Sequence, residues 1–139
     1  MPADTVFLTG ATGFVGSHVF AALRAAGFRV RALARTSPPA FDSTLDDAEI
    51  VVGDLLRPGE LLRSLRGCRY LIHCAALYSF SPGDRAQMRS VNVEGTASLC
   101  EAARDAGVER VVLTSSSVTV GPSDNGRLRT EEDHAADGG

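Results

Sequence analysis

The sequence predicts an α/β domain built on an open, doubly wound parallel sheet of five strands in the order 3-2-1-4-5. Short apolar runs alternate with longer amphipathic segments, which is the pattern of successive βαβ units. The runs are continuously apolar, as expected for parallel strands buried on both faces. Right-handed crossovers between successive strands then give the strand order.

Composition narrows the protein class. The 139 residues are enough for one domain with its own core. The net charge of −3 lacks the basic excess of nucleic-acid-binding proteins, and no apolar run approaches the ~20 residues of a membrane helix. The N-terminus has no signal-peptide pattern, and Cys68, Cys74 and Cys100 form no CxxC pair. We therefore expect a cytoplasmic protein with reduced thiols that binds neither nucleic acid nor membrane.

The elements follow in regular order. Residues 6–8 form the first predicted strand, and a helix follows Gly13 and ends at Gly27. Apolar residues recur at helical spacing in it, namely Phe14, Val15, Val19, Ala22 and Leu23. Further strands are predicted at 30–34, 50–52, 70–72 and 111–113, and further helices at 58–66 and 85–106.

Two polar stretches interrupt the alternation of strands and helices, and the second of them ends the domain. Residues 36–47 are a predicted loop, and residues 124–139 are acidic and lack periodicity, so we expect that tail to be disordered. The chain is therefore divided into a domain at 1–123 and a polar tail at 124–139.

Three glycines stand between the first strand and the first helix. Gly10 permits a tight turn, Gly13 lets the backbone approach a pyrophosphate, and Gly16 lets the helix pack close to the strand. The helix N-terminus adds N–H groups and a positive dipole end. All 14 basic residues are arginine, which excludes a P-loop because that motif needs a lysine. The pattern predicts a dinucleotide-binding loop.

The spacing of the loop, Thr-Gly-x-x-Gly-x-x-Gly from Thr9 to Gly16, resembles the motif of extended short-chain dehydrogenase/reductases. The likeness is to the N-terminal portion of NAD-dependent epimerase/dehydratase and dihydroflavonol-reductase-like members, and it covers residues 5–121. It implies a Rossmann-type fold that binds NAD or NADP. It also implies that the loop holds the dinucleotide through Gly10, Thr12, Gly13, Phe14, Val15 and Gly16.

Arg35 ends the second strand, where an acidic residue about 20 positions past the glycines would bind the ribose of NAD. Its guanidinium can instead pair with a 2′-phosphate in a forked geometry, which favours NADP over NAD. The VRxxxR stretch from Val30 resembles dihydroflavonol-reductase-like members. A solvated arginine is the alternative interpretation. The missing acid also argues against a methyltransferase.

The resemblance assigns roles to residues after the third and fourth strands. It implies that Asp54 accepts a hydrogen bond from the adenine amine, while Leu55 covers the ring. The small Ala75 and Ala76 let the cofactor pass over the sheet. Asn92 stands in a segment close to the family's NVxGT and supports the site structurally.

No metal site is predicted. His73 ends the fourth strand, but no second histidine, cysteine or carboxylate stands at ligand spacing. We expect this histidine to be satisfied by a hydrogen bond.

The fifth strand ends in hydroxyl residues. Thr114 and Ser115 border the predicted cofactor, and the resemblance places Ser116 at the position of the family's catalytic Ser or Thr, with Ser117 as the fallback. A hydroxyl there can donate to a substrate carbonyl and stabilise developing negative charge.

The family's Tyr-xxx-Lys pair is absent. The tyrosines are Tyr70 and Tyr78, with Cys74 and Pro82 four positions later, and the chain has no lysine. We interpret the sequence as a partial chain that lacks the C-terminal strands and the substrate region. Left as an edge, the fifth strand is expected to promote self-association.

Three functions stay open. The first is the cofactor domain of an NADP-linked reductase or epimerase acting on an unidentified small-molecule substrate. The second is a non-catalytic NAD(P)-sensing or binding module. The third is an inert relic with negligible cofactor affinity.

Overall fold

The computed structural model describes residues 4–36, 45, 47–123 and 126–133, and it confirms the predicted sheet. Its parallel strands are β1 (Thr5–Thr9), β2 (Arg29–Ala34), β3 (Glu49–Val52), β4 (Tyr70–His73) and β5 (Arg110–Leu113). They pair in the order β3-β2-β1-β4-β5. The strand order reverses at β1, so the carboxyl edge next to β1 is the switch point where ligands bind in such sheets.

The helices are α1 (Phe14–Ala25), α2 (Pro58–Leu65), α3 (Arg85–Arg89) and α4 (Thr96–Asp105). Helix α2 has proline in its first turn, as predicted. The helix predicted at 85–106 is continuous in extent but not uniform. A π-helical turn at Ser90–Gly95 separates α3 from α4, and such turns are frequent at functional sites.

Two apolar layers enclose the sheet. Helices α2 and α4 cover one face, where Phe7 and Leu71 pack with Leu61 and Leu99. Helix α1 covers the other face, where Phe20 packs with strand residues that include Leu8 and Val30. Side chains from successive β1 residues therefore enter opposite layers, as strand geometry requires.

The predicted apolar stripe of α1 is only partly right. Val19 and Leu23 pack against the core, but Phe14 is 83% exposed and Val15 is 46% exposed. Ala22 is exposed too, and the predicted set omitted the buried Phe20. The first turn of α1 starts beyond the end of β1, so its side chains have no strand to cover.

Strand β5 forms an exposed edge. Val111, Val112 and Leu113 are 38–48% exposed, and in the part of the chain that the structure describes no strand pairs with the outer side of β5. No helix among the described residues is long and apolar enough to cross a membrane.

The predicted loop and tail are described only in part. Most of the loop at 36–47 lies outside the described residues, as do positions 124–125 and 134–139 of the tail. Within 126–133, Arg127 forms an ion pair with Asp133, and the N–H of Thr130 donates to Asp133 Oδ2 at 2.8 Å.

Candidate functional site

A cleft of about 410 Å³ opens at the carboxyl edge of the sheet. This volume lies in the usual range for small-ligand sites. Most of the predicted dinucleotide residues line the cleft, namely Gly10, Thr12, Gly13, Arg35, Asp54, Leu55, Ala75 and Ala76. Loops after β1 to β4 thus bring together residues that are distant in sequence.

The glycine turn is closed by backbone contacts that leave no room for side chains. Gly10 has a φ of +72°, and its carbonyl accepts the N–H of Gly13 at 2.9 Å. A Cβ at Gly16 would lie 1.9 Å from Gly10 O, and a Cβ at Gly10 would lie 2.6 Å from Ala75 N. The turn therefore packs tightly against both α1 and the loop after β4.

The amino end of α1 is suited to an anion. Gly13 is the N-cap in extended conformation, no side chain caps the helix, and its first turn has no acidic residue. Helix N-terminal amides without an intrahelical partner bind phosphate readily. Phe14 and Val15 do not line the cleft with their side chains, so only their backbone groups suit the predicted role. Together with the glycine turn, this arrangement fits the pyrophosphate of a dinucleotide.

The ends of β2 and β3 form the next part of the wall. Arg35 lines the cleft with an exposed side chain. Asp54 also lines it, and its Oδ1 accepts the N–H of Leu56 at 3.0 Å, which stabilises the turn after β3. Leu55 is 8% exposed and belongs both to the cleft wall and to the core.

A buried hydrogen-bonded chain lies beneath the cleft. Thr9 Oγ1 is 2.5 Å from His73 Nδ1 and accepts the N–H of Ala75 at 3.2 Å. His73 Nε2 lies 2.9 Å from Thr96 Oγ1. Burial lowers the pKa of His73 below its usual value, because the charged imidazolium is desolvated. The prediction of a hydrogen-bonded strand-end histidine is confirmed.

Asn92 holds the loop after β4 from the opposite side. Its Oδ1 accepts the N–H of Leu77 and its Nδ2 donates to the carbonyl of Leu77, both at 2.7 Å. Leu77 lines the cleft. The side-chain amide thereby satisfies both backbone groups of one residue, which fits the predicted supporting role.

The hydroxyl residues after β5 face a separate cavity of about 540 Å³. Ser115, Ser116 and Ser117 line it together with Glu131 and Asp133. Ser116 Oγ accepts the N–H of Val118 at 3.3 Å and so caps the 3₁₀ turn that follows. The structure thus places Ser116 in a different cavity from the glycine turn.

Thr114 connects β5 to the cleft. Its N–H donates to His73 O at 3.0 Å, and its Oγ1 lies 3.3 Å from Cys74 Sγ. Cys74 lines the cleft, whereas Thr114 does not.

Sequence reasoning missed several cleft residues. Thr9 ends β1 next to the first glycine, and Leu33 lies in β2 two positions before Arg35, so these neighbours could have indicated both residues. Gln87 and Val91 reach the cleft from the helical segment after the β4 loop, and no local pattern distinguishes them.

Comparison with known proteins agrees with this geometry. The profile of the NAD dependent epimerase/dehydratase family matches residues 6–137. Sterol demethylase protein B of Methylococcus capsulatus is 41% identical over 124 residues, which are 88% of this chain and 37% of that protein. Dihydroflavonol 4-reductase of Zea mays is 34% identical over 143 residues, which are 96% of this chain and 40% of that protein.

A solved structure extends the likeness to three dimensions. A short-chain dehydrogenase/reductase superfamily protein from Agrobacterium tumefaciens, with bound NAD, is 37% identical and superposes with a TM-score of 0.73. The match covers 85% of this chain and 34% of that one. The chain therefore spans well under half the length of the proteins it resembles.

Proposed function

Because this chain belongs to the NAD dependent epimerase/dehydratase family, we propose that it is the dinucleotide-binding part of an oxidoreductase or epimerase. The reaction would transfer hydride between nicotinamide and a carbonyl or sugar-nucleotide substrate. One observation carries the proposal, namely the close packing of Gly16 in α1 against Gly10 in the turn. A Cβ on Gly16 would lie 1.9 Å from Gly10 O, so only glycine allows α1 to start this close to the turn. The bound NAD of the Agrobacterium protein supports the same assignment.

The residues divide by the part of the dinucleotide that they would hold. The turn at Gly10, Thr12 and Gly13, with the amides of Phe14 and Val15, would bind the pyrophosphate. Gly16 would act indirectly by seating the helix. The remaining assignments are Asp54 and Leu55 at the adenine, Ala75 and Ala76 beneath the cofactor, and Thr114 and Ser115 at its nicotinamide side.

NADP is the proposed cofactor because of Arg35. The side chain lies at the end of β2, where the ribose 2′ position is bound in sheets of this kind. A guanidinium in that position pairs with a 2′-phosphate and has no such partner on NAD. The acidic residue of the cleft wall, Asp54, follows β3 and not β2, so it does not occupy the position at which an acid would bind the ribose of NAD.

Ser116 is the proposed catalytic hydroxyl, with Ser117 as the fallback. Its Oγ already accepts the N–H of Val118, which leaves the hydroxyl proton to donate to a substrate oxygen. When bound, the dinucleotide supplies or accepts the hydride. The proton donor of the family, a Tyr with its Lys, would come from outside this chain, so we expect the chain alone to be inactive.

A non-catalytic NAD(P)-binding module is the second candidate. One observation favours it: the chain contains no lysine, and Cys74 and Pro82 stand four positions after Tyr70 and Tyr78. A module of this kind would bind the dinucleotide through the same cleft and turn over no substrate.

Self-association through β5 belongs to the same proposal. A second copy can pair with β5, because Val112 and its neighbours present apolar surface and no strand of the described residues pairs with the outer side of β5. Sedimentation velocity should show concentration-dependent dimers that Val112→Lys abolishes. Val52→Lys, at the 53% exposed Val52 of the opposite edge strand, is the matched control and should leave them intact.

Titration of the purified chain with NADPH and NADH, followed by nicotinamide fluorescence and thermal shift, tests the proposal. Saturable binding with NADPH preferred is expected, and inorganic triphosphate should not compete at equal concentration. Failure of both dinucleotides to bind would overturn the binding function. Carbonyl-dependent NADPH oxidation by the chain alone would overturn its proposed inactivity and the non-catalytic alternative together.

A further inference from the structure

The π-helical turn at Ser90–Gly95 touches both loops that wall the cleft. Asn92 holds Leu77 of the loop after β4 through two hydrogen bonds of 2.7 Å. Gly95, three residues later, packs directly against Leu55 of the loop after β3. One helical turn thus contacts the loops after β3 and β4, two strands that are not neighbours in the sheet of the described residues.

The contact between Gly95 and Leu55 has no spare room. Gly95 is buried, and a Cβ built on it would lie 3.0 Å from Leu55 Cβ and 3.7 Å from Leu55 Cδ1. Its next contact, Ser90 O at 3.5 Å, is ordinary van der Waals distance. An added methyl group would therefore press on Leu55 first.

Leu55 lies between the core and the cleft. It is 8% exposed, packs among core residues that include Leu61 and Leu99, and lines the cleft. Close-packed interiors do not absorb an added methyl group without displacing a neighbour. Pressure from Gly95 would therefore move Leu55 toward the cleft.

The part of the cleft beside Leu55 is where the base of a dinucleotide would lie. The pyrophosphate belongs at the β1–α1 turn and the ribose at the end of β2, so the base extends toward the end of β3. Leu55 follows β3 and shares the cleft with Arg35 at the end of β2.

We propose that Gly95 is a positioning residue for the adenine subsite, because the absence of a side chain there sets how far Leu55 projects into the cleft. The inference rests on the proposed dinucleotide function. It separates the two halves of the cofactor, since Gly95 would control affinity for the adenine half and leave the nicotinamide half unaffected.

The test compares Gly95→Ala with Gly59→Ala, the same change at a helical glycine with no atom within 4 Å of the added Cβ. Each variant is titrated, well below its melting temperature, with NADPH, 2′,5′-ADP and nicotinamide mononucleotide. Gly95→Ala should weaken NADPH and 2′,5′-ADP about tenfold and leave the mononucleotide unchanged. Gly59→Ala should match the wild type with every ligand.

A double variant keeps the inference testable if Gly95→Ala does not fold. In Gly95→Ala/Leu55→Gly both Leu55 atoms that the added Cβ would meet are absent, so we expect the pair to be as stable as Leu55→Gly alone and the Gly95 change to add no further loss of 2′,5′-ADP affinity. Failure of the pair to fold where Leu55→Gly alone folds would place the conflict elsewhere, at Ser90 O, and overturn the inference. Equal loss for both cofactor halves, or no loss, would overturn it as well. Absence of binding by the wild type would overturn the proposed function itself.

Discussion

The hydroxyl oxygen of Thr9 lies 2.5 Å from Nδ1 of His73 and also accepts the backbone N–H of Ala75. The arrangement that satisfies every group has Thr9 donating to Nδ1 and a neutral imidazole donating from Nε2 to Thr96. Three elements are joined by this chain of bonds, namely β1, the end of β4 and α4. A protonated ring would donate at both nitrogens and leave the Thr9 proton without its acceptor.

This relationship predicts a pH-dependent stability. Burial lowers the pKa of His73 in the folded protein, so the unfolded chain binds the proton more tightly. The free energy of unfolding should therefore be fully retained above about pH 6.5, the unfolded pKa, and fall as the pH drops toward the folded pKa. The slope should approach at most about 1.4 kcal/mol per pH unit in that window.

Urea unfolding between about pH 5 and pH 8 measures this dependence in the wild type and in His73→Gln. The variant should be less stable at neutral pH and should lack this part of the slope, because glutamine does not titrate. Every other ionisable group is common to the two proteins, so the difference between their profiles isolates His73. Parallel pH profiles for the two proteins would contradict the prediction.

Alanine substitutions at two glycines of the turn should affect different properties, stability at Gly16 and cofactor affinity at Gly13. Gly16→Ala places a Cβ 1.9 Å from Gly10 O and should cost about 3 kcal/mol or more of stability. At Gly13 the nearest atom is 3.3 Å away, so Gly13→Ala should cost only about 1 kcal/mol while reducing NADPH affinity at least tenfold by obstructing the pyrophosphate. Thermal unfolding and NADPH titration of both variants separate the effects, and equal destabilisation would argue against the assignment.

Arg35 should decide between the two dinucleotides. Arg35→Ser removes a forked charge-assisted pair worth about 1.5–3 kcal/mol, so NADPH should bind roughly 10- to 100-fold more weakly. NADH affinity should stay nearly constant. Arg110→Ser, at the amino end of β5, removes the same charge far from the cleft and controls for long-range electrostatics. A similar loss for NADPH and NADH would exclude a 2′-phosphate contact.

Arg31 is predicted to be structural. Its Nη1 donates to Ser64 O and Arg66 O, both at 2.8 Å, and its Nε lies 2.9 Å from Glu49 Oε2. Arg31→Met should cost about 1–3 kcal/mol because carbonyls at the end of α2 lose their donors. Glu49→Gln should cost under about 1 kcal/mol because that carboxylate is 58% exposed.

The same cluster contains the Cys68 thiol. Burial raises its pKa, and the Arg31 charge only partly opposes this.

Denaturation curves at neutral pH measure the stability of Arg31→Met and Glu49→Gln, and NADPH titration should give wild-type affinity for both. A selective loss of NADPH affinity in Arg31→Met would instead place this arginine in the site.

Asn92 should be sensitive to a change of one atom. Asn92→Asp sets a carboxylate oxygen against Leu77 O in place of the Nδ2 donor, at a cost of about 1–3 kcal/mol. The folded pKa of the new carboxyl should be raised, so this variant should recover stability as the pH falls toward its unfolded pKa. Asn92→Ala is the control, with a pH-independent loss. Thermal unfolding at a series of pH values distinguishes the two.

The sequence determined the architecture, because the features that fix it are local. Continuous apolar runs and the handedness of βαβ crossovers gave the strand order, and the glycines at Gly10, Gly13 and Gly16 identified the turn before α1. Arg35 was identified by its position about 20 residues past the glycines, and Asp54 by the family resemblance. The structure places both in one cleft because the carboxyl ends of parallel strands meet at one edge of the sheet.

Tertiary structure alone decided which surfaces meet across the chain. Nothing in the local pattern places Gly95 against Leu55, or gives Arg31 the carbonyls at the end of α2. The exposure of Phe14 depends on where α1 starts relative to the end of β1. Periodicity reports the face on which a residue lies, whereas contacts of a few tenths of an ångström depend on how distant segments pack.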